Sequence, residues 1–422
     1  MKRALPWLAW TAVALLAAVA LVAALNLRDE PASEEPAAFQ ATPEQVARGA
    51  YLARAGNCVA CHTMRGGAPY AGGRAIETPF GTVYGSNITP DAKTGIGGWT
   101  AAHFWRAMHN GRSKDGRLLV PAFPYANFTL VTRADADALF AYLRTLPAVE
   151  QPNRPHTLRF PYNTQAALAV WRALFFKPSV HVADGDRSAE WNRGSYLVRG
   201  LGHCNACHGG RNAFGATRSA LEMSGGVSPI DKWHAPSLAS PAEASVVEWE
   251  TQHVVDFLKT GVSARGSALG PMAEVVFRST QHLDDADLRA MAVFLQSLPQ
   301  ATPREVHTFT RAARPEVVER GGAVYREHCE DCHGPQGEGA RGAYPALAGN
   351  RSVVMDPPAN VIRAVLSGGF QPATAGNPRP WGMPPFGHVL DDADIAAVVT
   401  FIRTQWGNRA APVSATDVQR LR

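Results

Sequence analysis

The stretch Arg48-Gly49-Ala50-Tyr51-Leu52-Ala53-Arg54-Ala55-Gly56-Asn57-Cys58-Val59-Ala60-Cys61-His62 decides how this chain is read, because its parts return twice. Arg193-Gly194-Ser195-Tyr196-Leu197 precedes Cys204-Asn205-Ala206-Cys207-His208, and Arg320-Gly321-Gly322-Ala323-Val324-Tyr325 precedes Cys329-Glu330-Asp331-Cys332-His333. All 6 cysteines of the 422 residues lie in these pairs. Cys58 to Cys204 is 146 positions and Cys204 to Cys329 is 125, so each repeat has the size of a domain, not of a solenoid unit.

Cys-x-x-Cys-His is the signature of covalent haem attachment: the two thiols add across the porphyrin vinyl groups, and the adjoining histidine is carried under the ring to bind iron. Zinc competes for such pairs, but it needs four ligands, and no second pair accompanies each motif within its repeat. Disulfides within the pairs leave the three histidines unexplained. The expectation is three haem c groups, held by Cys58 and Cys61, Cys204 and Cys207, Cys329 and Cys332, with His62, His208 and His333 as proximal ligands. A backbone carbonyl accepts the Nδ1 proton of such a histidine and orients its ring; Pro79, Pro236 and Pro345, each opening a loop after its motif, are candidate suppliers, with plain turn punctuation as the other reading.

The second axial ligand of an electron-transfer haem is usually a thioether, supplied from the loop before the last helix. Gly270-Pro271-Met272 and Trp381-Gly382-Met383-Pro384-Pro385 place Met272 and Met383 there in the second and third repeats. The first repeat reads Val120-Pro121-Ala122-Phe123-Pro124-Tyr125 instead, and Phe123 cannot bind iron. Met64 is too close to His62 to swing round the ring. Met108 is therefore the candidate ligand, with His103, His109 and a five-coordinate iron as alternatives, and it aligns with Leu258 and Val365, positions that also suit ordinary core packing. Trp99, Trp233, Trp249 and Trp381 are read as core residues or as walls of the haem edges.

Each repeat closes with acids followed by an apolar helix, at Ala134–Leu143, Asp284–Leu295 and Asp391–Ile402, and a further helix runs from Trp99, Trp249 or Pro357 to a stopping glycine at Gly111, Gly261 or Gly368. No long alternating pattern signals a sheet. The predicted class is all-α: three tandem class I-like cytochrome c domains after an N-terminal transmembrane helix. Short helices joined by Gly/Pro-rich loops bury little by themselves, which is consistent with a large apolar group inside each domain.

Outside the repeats, Ala4–Leu27 is an uncharged apolar run long enough to cross about 30 Å of hydrocarbon as one helix. Lys2 and Arg3 before it, and the acid-leaning Arg28-Asp29-Glu30 after it, place the N-terminus in the cytoplasm and the rest outside; a signal peptide cleaved after Val22-Ala23-Ala24 is the alternative. The boundaries read as 1–36 anchor and linker, 37–150 first domain, 151–186 connector, 187–301 second domain, 302–314 connector, 315–411 third domain and 412–422 tail. The first connector carries an apolar stretch, Trp171-Arg172-Ala173-Leu174-Phe175-Phe176, suited to docking on its own domains, a partner or the membrane surface. A net charge of +5, from 41 basic and 36 acidic residues, is too even for a nucleic-acid footprint. No phosphate loop, metalloprotease helix or nucleophile elbow provides for chemistry on an organic substrate.

Arg54-Ala55-Gly56-Asn57-Cys58, Thr78-Pro79-Phe80-Gly81-Thr82-Val83-Tyr84-Gly85-Ser86-Asn87-Ile88-Thr89-Pro90-Asp91, Gly95-Ile96-Gly97-Gly98-Trp99 and Arg117-Leu118-Leu119-Val120-Pro121-Ala122-Phe123-Pro124-Tyr125 resemble the tri-haem cytochrome c subunits of bacterial membrane-bound dehydrogenases over essentially the whole chain after the anchor. These are the alcohol, gluconate and fructose dehydrogenase subunits and the cytochromes paired with molybdenum hydroxylases of the isoquinoline, nicotinate and aldehyde types. In the alcohol branch the first loop resembles Pro-Ala-Met-Pro-Tyr; Phe123 departs from it and resembles the molybdenum branch. The resemblance implies a non-catalytic subunit of the inner membrane with its haem domains on the periplasmic side. It implies electron transfer from a molybdenum, quinoprotein or flavoprotein catalytic subunit to ubiquinone or a terminal oxidase. Two other readings stand beside it: a haem enzyme, a peroxidase or small-molecule reductase, working at an open first haem, and a quinol-oxidising module running the opposite way.

Overall fold

The computed structural model describes residues 4–27, 39–217, 222–227, 233–301, 312–340 and 342–422. The chain divides into two compact units. One holds the segments up to Ala53, Cys61–Val182 and a short piece from Arg211; the other holds Arg54–Ala60, Ala183–Gly210 and the chain from position 219 on.

Ala4–Leu27 is one continuous helix, the span read from its composition. The linker expected before position 37 lies outside the described residues, and the first helix of the folded part starts at Pro43, where Thr42 Oγ1 accepts the Gln45 N–H at 3.2 Å.

One helical arrangement then occurs three times. An opening helix (Pro43–Ala55; Ala189–Ser195 running on as Tyr196–Leu201; Pro315–His328) crosses a closing helix (Arg133–Leu143; Asp285–Gln296; Asp392–Thr404). The crossing is close enough to exclude a side chain. An ideal Cβ on Gly49, Gly194 or Gly321 would come within 2.6, 2.6 and 2.7 Å of the carbonyl carbon of Ala138, Ala290 and Ala397, and 2.8 Å from the Cβ of Tyr142, Phe294 and Phe401. The arginine before each glycine reaches an aspartate one turn before each alanine: Arg48 to Asp135 at 2.6 Å, Arg193 to Asp287 at 2.8 and 2.7 Å, and Arg320 to Asp394 at 2.7 Å. The acids noted in the sequence at the start of the closing helices thus include the ion-pair partners of the opening ones; Thr132 and Asp391 cap two of these helices, their side chains accepting the N–H of Asp135 and Asp394.

Opening helices differ in how they reach the cysteines, because Cys58, Cys204 and Cys329 follow their crossing glycines by nine, ten and eight positions. In the longest, the extra residue is absorbed by π-helical winding over Tyr196–Leu201 and a left-handed His203 (φ 39°). In the intermediate one a left-handed Asn57 (φ 49°) makes the exit, and in the shortest the helix runs directly to Cys329.

The middle helices Ala101–Asn110, Thr251–Thr260 and Ala359–Ser367 end where expected, at Gly111, Gly261 and Gly368, with φ of 60°, 79° and 58°. The fold is helix-rich but holds short ladders that the sequence did not announce: Ala75–Thr78 with Gly81–Tyr84 and Thr157–Leu158, and two-residue pairs in the later repeats. None exceeds four residues, too short for an alternating pattern to register. The first connector forms a helix, Gln165–Phe175. Residues 302–311 of the second lie outside the described residues.

Within the second unit the last two repeats are pinned together. Asn360, on the third middle helix, accepts the His234 N–H at 2.9 Å and donates to the His234 carbonyl at 2.8 Å. Arg351 Nη1 donates to Ser245 O at 2.7 Å, and Thr374 Oγ1 to Thr260 O at 3.1 Å.

Candidate haem sites

Four of the five residues of each Cys-x-x-Cys-His motif lie in one helical turn, Cys58–Cys61, Asn205–His208 and Glu330–His333, with His62, Cys204 and Cys329 adjoining it. All six thiols are unbridged. Burial pushes the Cys204 and Cys329 thiols up to about 12, helped by the neighbouring Cys207 and Cys332, so both are neutral thiols in the polypeptide itself. Among the described residues no three His, Cys, Asp or Glu side chains converge as a metal cage.

The three imidazoles are held by one construction. Nδ1 of His62 bonds to Ser86 O at 2.7 Å, that of His208 to Pro236 O at 2.7 Å, and that of His333 to Pro345 O at 3.0 Å. Pro236 and Pro345 are the carbonyls expected from the sequence. Pro79 is not: it sits in the hairpin turn between Ala75–Thr78 and Gly81–Tyr84, its carbonyl accepts from Arg159, and the chain reaches the histidine only at Ser86.

A second bond fixes the backbone of each histidine, and the sequence reading missed it. His62 O, His208 O and His333 O accept the N–H of Gly72, Gly225 and Gly339 at 2.7, 2.7 and 2.8 Å. These glycines have φ of 81°, 78° and 66°, a region that disfavours side chains. Each also lies flat against the peptide whose carbonyl holds the ring. A Cβ on Gly72 would sit 2.5 Å from Ser86 C and Asn87 N; on Gly225, 2.6 Å from Ser237 N and 3.1 Å from Pro236 C; on Gly339, 2.7 Å from Pro345 C and Ala346 N. Histidine, glycine and carbonyl thus form a closed clamp, built three times.

The donor set fits a haem iron. Burial holds all three imidazoles below the ordinary histidine value, so they are neutral at pH 7, and the Nδ1 bond fixes the tautomer that leaves the Nε2 lone pair for a metal. A haem bound there supplies a one-electron couple whose potential follows its axial ligands and burial.

The distal candidates are less uniform. Met272 lies in the first turn of helix Pro271–Arg278, behind Gly270, whose φ of 58° presses its backbone onto the Trp233 indole. Met383 lies in strand Gly382–Met383, paired with Gly369–Phe370, and packs with Cys329 and Phe386 against one apolar core. Met108 is buried in the first middle helix, as are the aligned Leu258 and Val365. Phe123 packs its ring 5.3 Å from Phe128. His103 Nδ1 accepts the Thr100 N–H in a capping box, so that imidazole serves the helix start; His253 does not repeat the role, its helix opening at Glu250. His109 stacks on Trp105 at 4.4 Å. Trp249 meets Phe257 edge-on, and Trp381 is exposed beside Tyr344.

Fold and clamp together define a c-type cytochrome. The cytochrome c family profile matches residues 46–147 and 318–406, with the second motif between them. Over 394 residues the chain is 38% identical to the cytochrome c subunit of alcohol dehydrogenase (quinone) from Gluconobacter oxydans, covering 89% of this chain and 82% of that one. It is 37% identical to the gluconate 2-dehydrogenase cytochrome c subunit of Pantoea cypripedii, covering 91% and 90%. It is also 40% identical to a subunit of the nicotinate dehydrogenase of Pseudomonas putida, covering 95% of this chain and 34% of that protein. The chain belongs to the family of cytochrome c subunits of dehydrogenases. It is a haem c protein and a non-catalytic, electron-transferring subunit.

Proposed function

We propose that this chain carries three haem c groups in three tandem domains, with the boundaries read from the sequence, and passes electrons from a periplasmic dehydrogenase subunit to ubiquinone or a terminal-oxidase branch. Cys58, Cys61, Cys204, Cys207, Cys329 and Cys332 form the thioethers; His62, His208 and His333 bind iron on one side, and Met272 and Met383 on the other in the second and third domains, with Met108 in that place in the first. Ala4–Leu27 anchors the chain in the inner membrane, with the haem domains on the periplasmic side. The catalytic partner is a molybdenum, quinoprotein or flavoprotein subunit. The observation that carries this reading is the threefold clamp of glycine N–H, histidine and carbonyl, which orients three imidazoles alike at three otherwise different loops.

The test is haem stoichiometry on denatured protein, where only covalent haem survives. Three haems per chain are expected, and two after Cys204→Ala with Cys207→Ala; retention of three in that variant refutes the assignment. Phe123 at the ligand position sustains a second reading, an open first haem that reacts with small molecules. Carbon monoxide added to the reduced protein separates the two, since a spectrum unchanged at every haem eliminates the open site.

A further inference from the structure

We propose that the connector helix Gln165–Phe175 lies in the headgroup region of the bilayer, as an interfacial helix beside the anchor. The inference rests on the proposed anchoring of Ala4–Leu27.

Depth is the first argument. Asn26, in the last turn of the apolar span, is buried, and its side-chain amide donates to Ala169 O at 2.9 Å. The Asn26 side-chain oxygen accepts from Arg172 Nε at 3.0 Å, and its backbone carbonyl accepts from Arg112 Nη2 at 3.2 Å. Arg172 is itself buried, and its Nη1 donates to Asn110 O and Gly111 O at the end of the first middle helix. The connector helix is therefore tied, through its own backbone and its one charge, to the level at which the anchor leaves the hydrocarbon. A helix tied there has the lipid boundary as its surroundings.

Composition is the second argument. Leu168 and Arg172 face the protein, whereas Val170 and Leu174, one turn apart, are 47% and 68% exposed. The sequence Gln165-Ala166-Ala167-Leu168-Ala169-Val170-Trp171-Arg172-Ala173-Leu174-Phe175 places no charge on the outward face. The apolar surface continues beyond the helix. Trp171 Nε1 donates to Phe214 O at 2.9 Å and Phe175 stacks on the Phe214 ring at 5.8 Å, while Phe214 remains 58% exposed; Phe160, just before the helix, is 81% exposed. Aromatic and aliphatic side chains without charge beside the exit of a membrane helix have the composition of an interfacial belt. The alternative occupant, a catalytic subunit, does not account for the bonds that fix this face at the anchor's end.

Spin labels test the inference on the full chain in phosphatidylcholine/phosphatidylglycerol vesicles, with accessibility to dissolved oxygen compared with that to a water-soluble nickel chelate. Leu174→Cys and Val170→Cys report the helix, Leu16→Cys the anchor, and Lys93→Cys the aqueous surface. The expected result at positions 170 and 174 is nickel accessibility on the order of tenfold below that at 93, with oxygen accessibility raised, as for a residue seated in the headgroup layer. Nickel access at 170 and 174 equal to that at 93, with position 16 shielded, overturns the inference and leaves the anchoring intact. Access at position 16 removes the anchoring and the inference with it. Shielding of 170 and 174 only when a catalytic subunit is bound assigns the face to that protein and overturns the lipid assignment.

Discussion

Replacing Gly194 with alanine opposes two principles of opposite sign. Gly194 lies inside a helix, where alanine is intrinsically better by about 1 kcal/mol. Yet its Cβ would stand 2.6 Å from the Ala290 carbonyl carbon and closer still to the carbonyl oxygen, so reaching even the 3.4 Å at which ordinary contact begins requires the helices to part by more than about 0.8 Å. The obstacle is backbone of the facing helix, which has no rotamer to yield. Overpacking of this kind costs about 3 kcal/mol at the upper end of the usual range, leaving a net loss of about 2 kcal/mol. For a domain of about 100 residues that lowers its Tm by roughly 10 °C. Separating the helices also strains the bidentate Arg193–Asp287 pair one residue away. The assay is thermal unfolding of the holoprotein followed by Soret circular dichroism. Gly185→Ala serves as the control, because a Cβ there meets nothing within 4 Å. An unchanged or raised Tm for Gly194→Ala, with Gly185→Ala also neutral, would refute the reasoning. Gly49→Ala and Gly321→Ala are expected to behave in the same way.

Three further outcomes are expected. Asn360→Ala frees the His234 peptide and loosens the strand leading to Pro236 O; a weaker bond to His208 Nδ1 makes the imidazole less basic and raises the second haem's potential by roughly 40 mV per kcal/mol of differential stabilisation. Spectroelectrochemistry reads this shift, and three unchanged potentials would sink the coupling. Phe123→Met is expected to give the first haem the charge-transfer band of sulfur-ligated ferric iron and a higher potential; no spectral change means that position 123 does not face that iron. Asp391 accepts the Asp394 N–H at 2.7 Å and faces Arg320, which holds its carboxyl below the ordinary value. The folded state therefore releases this proton more readily than the unfolded one, and the contribution is present above about pH 4 and disappears as pH falls through the lowered value. Asp391→Ala should be less stable than the parent protein at pH 6, with a deficit that shrinks as pH falls below about 4, by urea unfolding; a deficit that grows in acid would contradict the sign.

What was legible in the sequence is what recurs at fixed spacing. Cys-x-x-Cys-His, Arg-Gly before it, and the acids opening the closing helices each keep their order, and the structure unites them in one crossing. The clamp was only half legible. Its carbonyl lies 24, 28 and 12 positions after the histidine, and its left-handed glycine 10, 17 and 6 positions after, so neither forms a motif that alignment of the repeats would expose. Proline marked the carbonyl in two repeats because a fixed φ suits that loop; in the first, an inserted hairpin moved the contact on to Ser86. The pairing of Asn26 with Arg172 was equally hidden, since a lone asparagine in an apolar run carries no sign of a partner 146 positions away.

The clamp also bears on how the three proposed haems would come to differ. The proximal side of each proposed site uses the same ring, the same tautomer and a carbonyl at 2.7, 2.7 or 3.0 Å, so it offers little with which to separate three potentials. At the proposed distal positions the chain diverges: a methionine in the first turn of a helix behind Gly270, a methionine in a two-residue strand, and Phe123 in the loop of the first repeat. Axial ligation and burial tune haem potentials over about 0.8 V, and only the distal loops vary enough to draw on that range. A relay built this way keeps its folding unit constant and moves its redox variation into loops that carry no helix crossing. Phe123→Met is therefore expected to shift the first potential without moving the Tm, whereas Gly49→Ala should lower the Tm; a Phe123→Met variant that unfolds as readily as Gly49→Ala would show that fold and potential are not separable in this chain.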